Sequence, residues 1–462
     1  MLYKKYSRRE FVKKNSLTGL NAMLAMGVAP SVLAMVDQEH DTPAILGGKP
    51  VHTSDWPKWP QWNSDEDEKQ VLEVLRSGVW YRGSSSRSVV GDFENKWAET
   101  IGSKRCLAVV NGTNALIIAL RMHDIGGGDE VIVTPYTFVA TISAILEVGA
   151  MPVFVDIDPE TFQIDPEKIE RKITPNTRAI LPVHILGLPA HITRILEIAK
   201  KHNLIVVEDA CQSWLAEVNH QKVGTFGNAG CFSFQNSKNL PIGEGGAIVS
   251  DDDDFIDKCH SYHNCGRPHG NMAEPVGVSA VMRGNNLRLT EYQAAVGLAQ
   301  LKRLEGQTDI RNANAAFLKS QIMDIPGIIP YKLYDNVTKA AFHLFPFRYK
   351  KDHFDGLSRE KFMKALSAEG VPCSSGYSSN LMSMPYLADA FRTKNYRNMY
   401  PSEMLDFEKF VEKNHCPVNA QVCEEAIWIF QSLLLGSQSD MNDIAVAIAR
   451  IQKNASKIKA KI

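Results

Sequence analysis

Seven short apolar runs recur between residues 106 and 250: CLAVV (106–110), EVIVT (130–134), PVFVD (152–156), AILPVH (179–184), LIVVED (204–209), GCFSF (230–234) and GAIVS (246–250). Segments of helical character, such as NGTNALIIALRM and TFVATISAILEVG, separate the early runs. Runs that are apolar throughout, with helices between them, imply an α/β fold with a mainly parallel sheet covered on both faces. Sheets of this kind bind ligands beyond the carboxyl ends of their strands. Candidate chemistry is therefore sought where each run stops.

A chain of 462 residues predicts two domains. Residues 35–64 read as an extended entry arm, rich in Pro, Gly and Trp from 43 to 63, and a polar helix follows over 65–77. The large α/β domain is expected over 65–330 and a smaller C-terminal α+β domain over 331–462. In the latter FHLFPFRYK (342–350) reads as a strand, SREKFMKALSAEGV (358–371) as an amphipathic helix and 438–459 as a terminal helix. The acidic run Asp251–Asp254 reads as a solvated loop ahead of a helix starting near Phe255 rather than a metal site.

Residues 1–34 stand apart. SRREFVKK is followed by a short, weakly apolar stretch that ends in small residues at Ala34. The pair Arg8–Arg9, between Ser7 and Phe11, resembles the twin-arginine export signal of bacteria. Cleavage near Ala34 and a periplasmic or extracytoplasmic location are the expectation; retention as a basic N-terminal helix of a cytoplasmic protein is the alternative. The stretch is too short and polar for a stable membrane span. Six of the 51 basic residues lie in this leader beside one acid, Glu10, so the remainder is mildly acidic and offers no electrostatic footprint for nucleic acid. The eight cysteines form no CxxC pair and several sit in apolar runs, so buried free thiols are expected, with neither a metal nor a disulfide framework.

Three run-ends carry chemistry. Asn111-Gly112-Thr113 follows a strand and opens a helix, where free N–H groups and the threonine hydroxyl could hold a phosphate, although Gly-Thr is also an ordinary helix start. Asp209 in Glu208-Asp209-Ala210-Cys211-Gln212 ends a buried strand and needs a cationic partner, which a protonated pyridine nitrogen would supply; a helix N-cap is the alternative. Lys238 in SFQNSKNL lies on a turn between two apolar strands, where desolvation would lower its proton affinity and suit it to Schiff-base chemistry.

Together with GTFGNAG (224–230) and GEGGAIVS, these motifs resemble the DegT family of sugar aminotransferases, from about Gly47 to the C-terminus. The opening GGKPVHTSDWPKWP, HNCGRP (263–268) and NNLRLTEYQAA are similar to the branch of glutamine:scyllo-inosose aminotransferases and 3-amino-5-hydroxybenzoate synthases. The resemblance implies an aspartate-aminotransferase-like fold, pyridoxal 5′-phosphate as cofactor and a homodimer with shared sites. It implies transfer of an amino group from an amino acid, glutamine or glutamate, to a keto-sugar or cyclitol ketone. Lys238 would bind the cofactor and move protons, Asp209 would keep its ring nitrogen protonated, and Gly112, Thr113 and Ser233 would hold its phosphate. Phe138, in TPYTF, would stack on the ring and Gln212 would sit near its 3-hydroxyl. Asn286 and Arg288 would reach the neighbouring subunit's phosphate. His343 and Tyr377 are candidate substrate contacts, with a packed core role as the alternative. The family's keto-sugar dehydratases carry histidine where Lys238 stands, and a non-catalytic relative would tolerate loss of Lys238 or Asp209, so both alternatives are disfavoured.

Overall fold

The computed structural model describes residues 42–82, 88–272, 279–377 and 381–461. The leader and its twin-arginine pair lie outside the described residues.

The seven apolar runs form one sheet: β1 (Arg105–Val109), β2 (Glu130–Val133), β3 (Met151–Phe154), β4 (Thr177–Leu181), β5 (Ile205–Asp209), β8 (Ala229–Ser233) and β9 (Gly246–Ser250), in the order β1-β9-β8-β5-β4-β2-β3. Only β9 runs against its neighbours in this sheet. Because side chains alternate across a strand, the runs feed two cores. Leu107, Val109, Val131 and Val133 pack into one; Ala108, Ile132 and Val153 pack into the other. Both faces are thus apolar, which is why the runs show no polar alternation. Helices α3 (Gly112–Met122), α4 (Val139–Glu147) and α5 (Ile192–His202) connect strands of the sheet, and α6 (Asp253–His263) follows its last strand, β9.

Two helices precede the sheet, α1 (Ser64–Ser77) and α2 (Val89–Ile101), and both pack on the 32-residue helix α7 (Glu291–Ile322). Asp252 caps α6 through Phe255 N–H, and Asp253 pairs with Arg105 at 3.0 Å, so the acidic run opens the helix rather than forming a loop before it. Four cysteines are buried as expected (231, 259, 416 and 423), whereas Cys106, Cys211 and Cys373 are half-buried and Cys265 is exposed; all eight are free.

A second, antiparallel sheet comprises β10 (Ile328–Pro330), β12 (Leu344–Tyr349), β14 (Ala426–Phe430) and β13 (Cys373–Ser374), in the order β10-β12-β14-β13. It starts at residue 328. The chain then returns to the large body, where β11 (Val337–Lys339) pairs with β6 (Glu217–Val218), itself paired with β7 (Gln221–Lys222). Helix α8 (Arg359–Ala368) lies in the segment read as amphipathic. Between β13 and β14 come α9 (Pro385–Arg392), α10 (Lys394–Met399), α11 (Phe407–Lys413) and α12 (Pro417–Glu425). The terminal segment is two helices, α13 (Gln438–Lys453) and α14 (Ala455–Lys461), separated at Asn454.

Candidate active site

The carboxyl ends of the parallel strands and the edge of the second sheet enclose a cavity of about 730 Å³. Gly112, Thr113, Phe138, Asp209, Gln212, Ser233, Lys238, His343 and Tyr377 all line it.

The turn after β1 sets its first wall. Asn111 Oδ1 accepts from Asn114 N–H at 2.9 Å and caps α3, leaving the first amides of the helix facing the cavity. A Cβ at position 112 would lie 2.7 Å from Ser233 Cβ and 2.8 Å from Cys211 Sγ, closer than packed atoms approach. Only glycine lets the end of β1 come this near to the end of β8. The result is a concave rim of backbone N–H groups beside two hydroxyls, Thr113 and Ser233, suited to a phosphate.

Asp209 ends β5 and is 4% exposed. Thr141 Oγ1 donates to its Oδ2 at 2.7 Å and Cys211 N–H donates to Oδ1 at 3.1 Å. Thr141 Oγ1 also lies 2.8 Å from Thr137 Oγ1, and since its own proton goes to Asp209 it accepts from Thr137. Among the described residues no salt bridge holds the carboxylate, an arrangement suited to receive a protonated ring nitrogen. Its neighbour Glu208 points the other way and is fully buried. Four donors hold it: Gly224, Phe226 and Gly227 N–H at 2.7–2.8 Å and His184 Nε2 at 2.9 Å. This grip accounts for the motif GTFGNAG, whose amides serve as the clamp.

Lys238 sits on the turn between β8 and β9, which is pinned by Phe234 N–H to Gly245 O and Asn236 N–H to Gly243 O, both 2.8 Å. Burial lowers the proton affinity of its ammonium, partly offset by Cys211 and Asp209 nearby. Such a lysine reaches the nucleophilic free-amine form at a lower pH than a solvated one.

Phe138 is the N-cap residue of α4 and is 56% exposed, although it is a large aromatic on a cavity wall. Tyr136, two residues earlier, is instead buried edge-on against Tyr377 and Trp428. Gln212 Oε1 accepts from Leu186 N–H at 2.8 Å, and its Nε2 lies 3.4 Å from Tyr377 Oη. Asn286 and Arg288 do not line the cavity. Asn286 is exposed, and Arg288 Nη1 donates to Asn264 Oδ1 at 2.8 Å.

Thr137, Thr141, Cys211, Gln235, Glu244 and Trp428 also line the cavity and were not singled out from the sequence. For Thr141 the signal was spacing: it falls one helical turn after Thr137, on the face of α4 that meets the end of β5. Elsewhere His52 Nδ1 lies 3.1 Å from Asp443 Oδ2 and 3.8 Å from Asp440 Oδ1, a polar cluster that ties the entry arm to α13.

Residues 62–406 match the DegT/DnrJ/EryC1/StrS aminotransferase family. The chain belongs to that family. It is similar to the L-glutamine:2-deoxy-scyllo-inosose aminotransferase of Streptoalloteichus tenebrarius, at 34% identity over 90% of this chain and 99% of the relative. The enzyme of the same name from Streptomyces kanamyceticus is 33% identical over 90% of this chain and 98% of its own length. Among solved structures, 3-amino-5-hydroxybenzoic acid synthase superposes with a TM-score of 0.74 at 28% identity, covering 87% of this chain and 99% of that one. An aminotransferase from Psychrobacter cryohalolentis gives 0.73 at 31% identity, covering 87% and 100%. The chain is thus an enzyme of the pyridoxal-phosphate-dependent transaminase class. Among the described residues no helix is long and apolar enough to cross a membrane.

Proposed function

We propose that this enzyme binds pyridoxal 5′-phosphate on Lys238 and transfers the amino group of glutamine to the ketone of a cyclitol or a related keto-sugar. The observation that carries this reading is the convergence of Lys238, Asp209 and the Gly112–Thr113–Ser233 rim on one cavity. The donor set fits the cofactor, because the narrow approach at Gly112 offers amides and hydroxyls to a phosphate, while Asp209 offers an oriented carboxylate to a ring nitrogen. The relatives' names support glutamine and a cyclitol ketone as the two substrates.

When bound, the cofactor supplies an electron sink for bond-breaking at the substrate's amine-bearing carbon. Asp209 would keep a proton on the ring nitrogen, with Thr141 and Cys211 N–H fixing the carboxylate's orientation. Lys238 Nζ, its proton affinity lowered by burial, would carry the proton to and from the substrate carbon. Phe138 would cover one face of the ring, and Gln212 would approach its 3-hydroxyl side. Borohydride reduction of the holoenzyme, followed by peptide mapping, should place a pyridoxyl group on Lys238. Lys238→Ala should lose the visible absorbance and more than about a thousandfold of activity. A label on another lysine would overturn the assignment.

The active unit is proposed to be a homodimer. Among the described lining residues Lys238 is the lone lysine or arginine, beside the carboxylates of Asp209 and Glu244. A phosphate and an amino-acid carboxylate both need positive charge, and Arg288, with Asn286, stands outside the cavity on the same chain. A second copy offering Asn286 and Arg288 would complete the site. Mixing Lys238→Ala chains with Asn286→Ala chains should restore part of the activity, because one hybrid site recovers both groups; verified heterodimers without recovery would refute it.

A further inference from the structure

Among the cavity-lining groups that the mechanism above leaves without a task is His343. His343 stands just before β12 and is 7% exposed. Its backbone is held firmly: Ala341 N–H donates to Gly187 O at 2.8 Å, and a Cβ on Gly187 would meet His343 N at 2.5 Å. The residue before it, Phe342, adopts φ +48° while buried against Tyr331. A bulky residue in the left-handed region is costly and persists where the surroundings fix it. The chain bends at Phe342 and delivers His343 to the cavity wall.

The ring's tautomer follows from its neighbour. Asn239 Nδ2 donates to Ala341 O at 2.8 Å, which fixes the amide so that its Oδ1 faces His343 Nδ1 at 3.3 Å. An acceptor opposite Nδ1 places the proton on that nitrogen. Nε2 therefore carries a lone pair, and among the described residues the ring's one hydrogen bond is the contact of Nδ1 with Asn239. Burial, together with the positive charges of Lys238 and Arg311, holds the ring neutral. His123, His260 and His263 also leave a ring nitrogen without a partner, so what sets His343 apart is that it lines the cavity beside Lys238.

We propose that His343 Nε2 accepts a hydrogen bond from a ring hydroxyl of the ketone substrate and so selects polyhydroxylated rings. The inference rests on the aminotransferase reading above. A neutral acceptor disfavours the carboxylate of the amino-acid donor, which brings only lone pairs to it, whereas a cyclitol brings O–H donors. Asn239 is then a positioning residue, acting through the imidazole.

The test compares two substitutions of similar size. His343→Asn keeps a donor toward Asn239 but has nothing at the position of Nε2; His343→Gln can place an acceptor there. Holoenzyme is first loaded with glutamine, and the acceptor half-reaction is followed by absorbance with 2-deoxy-scyllo-inosose and with cyclohexanone, a ring ketone lacking hydroxyls. In His343→Asn the preference for the hydroxylated ketone, as a ratio of kcat/KM values, should fall about tenfold or more, while His343→Gln should recover most of it. Binding of myo-inositol to the holoenzyme, read by titration calorimetry, should weaken in the same order. Equal losses on both ketones, or a milder effect from Asn than from Gln, would make His343 a packing residue and overturn the proposal. Wild-type enzyme that aminates neither ketone after loading would overturn the underlying reading, an outcome recognisable before any variant is made.

Discussion

Glu208 in the large body and Glu369 at the end of α8 in the small one are both fully buried carboxylates, and each grips an irregular stretch of chain. Glu369 accepts from Ala44 N–H at 2.9 Å and Val51 N–H at 3.0 Å, and pairs with Arg450 Nη1 at 2.9 Å. Glu208 is surrounded instead by three amides and one imidazole N–H, with no lysine or arginine paired to it. One carboxylate is neutralised by an ion, the other by aligned dipoles. The segments differ too. The entry arm lies on the outside of the small body and can return its amides to water. The 224–227 turn is held more tightly at its start, because Gly224 is buried and even a Cβ there would strike the Phe232 ring at 2.5 Å. A grip on a segment that cannot leave is worth more than the same grip on one that can, since unpaired buried donors are costly and hydrated ones are not.

Replacing each glutamate by leucine should break the likeness apart. Glu208→Leu leaves the buried Gly224 N–H and His184 Nε2, and the half-buried amides of Phe226 and Gly227, without their acceptor, and the expected cost is about 4 kcal/mol, at roughly 1–3 kcal/mol for each unsatisfied group. Activity should fall with it, because Asp209 is the next residue along β5. Glu369→Leu, made together with Arg450→Met so that no buried charge is left unpaired, should cost only about 2 kcal/mol, since the arm can detach, and should leave kcat within about twofold while opening residues 42–51 to proteolysis. Denaturant unfolding and steady-state rates measure both. Equal losses of stability would show that the arm is as immovable as the turn.

This contrast also marks where the sequence is legible. Glu208 and Asp209 are visible because two adjacent carboxylates close an otherwise apolar run, which no buried strand tolerates without partners. Glu369 is invisible: it ends an amphipathic stretch like a surface residue, and its partners Ala44 and Val51 are more than 300 positions away. The small body follows the same pattern. Trp428 belongs to a sheet whose strands are spread from Ile328 to Phe430, and nothing local ties it to Tyr377, on which it stacks edge-on at 4.7 Å. Helix α7 escapes for another reason. Its buried face carries Gln300, Gln307, Thr308, Arg311 and Asn314, so the apolar period that announces a helix is missing. What can be read from a sequence is the chemistry that interrupts a local pattern; what cannot is the chemistry assembled across the chain.

A smaller change sharpens the comparison within the site. Thr141→Val removes a hydroxyl donor from Asp209 without changing the volume of the side chain much, and it spares the Glu208 grip. Hydrogen bonds to charged groups contribute about 1.5–3 kcal/mol. If that bond orients Asp209 for the reaction, kcat should fall roughly 10- to 100-fold, while the unfolding midpoint moves little. A loss of stability with unchanged kcat would return Thr141 to a structural role like that of Glu369.

The smallest effect separates both carboxylates from the acid response of the fold. His123, at the C-cap of α3, stacks on Phe255 with ring centroids 4.2 Å apart, and burial lowers its pKa to about 4. Unfolded, it titrates near 6.5. Between these values the unfolded chain holds the extra proton, so stability contributed by the neutral ring is complete above about pH 6.5 and is lost as pH falls toward 4. Burial also lowers His260, His263 and His269, which share the slope. His123→Gln should therefore flatten the decline only in part, by about 1 kcal/mol at pH 5.5, and leave stability at pH 8 changed only by the lost stacking. Urea unfolding at the two pH values gives the difference directly. An unaltered slope in the variant would place the acid sensitivity in the histidines of α6 and the loop after it.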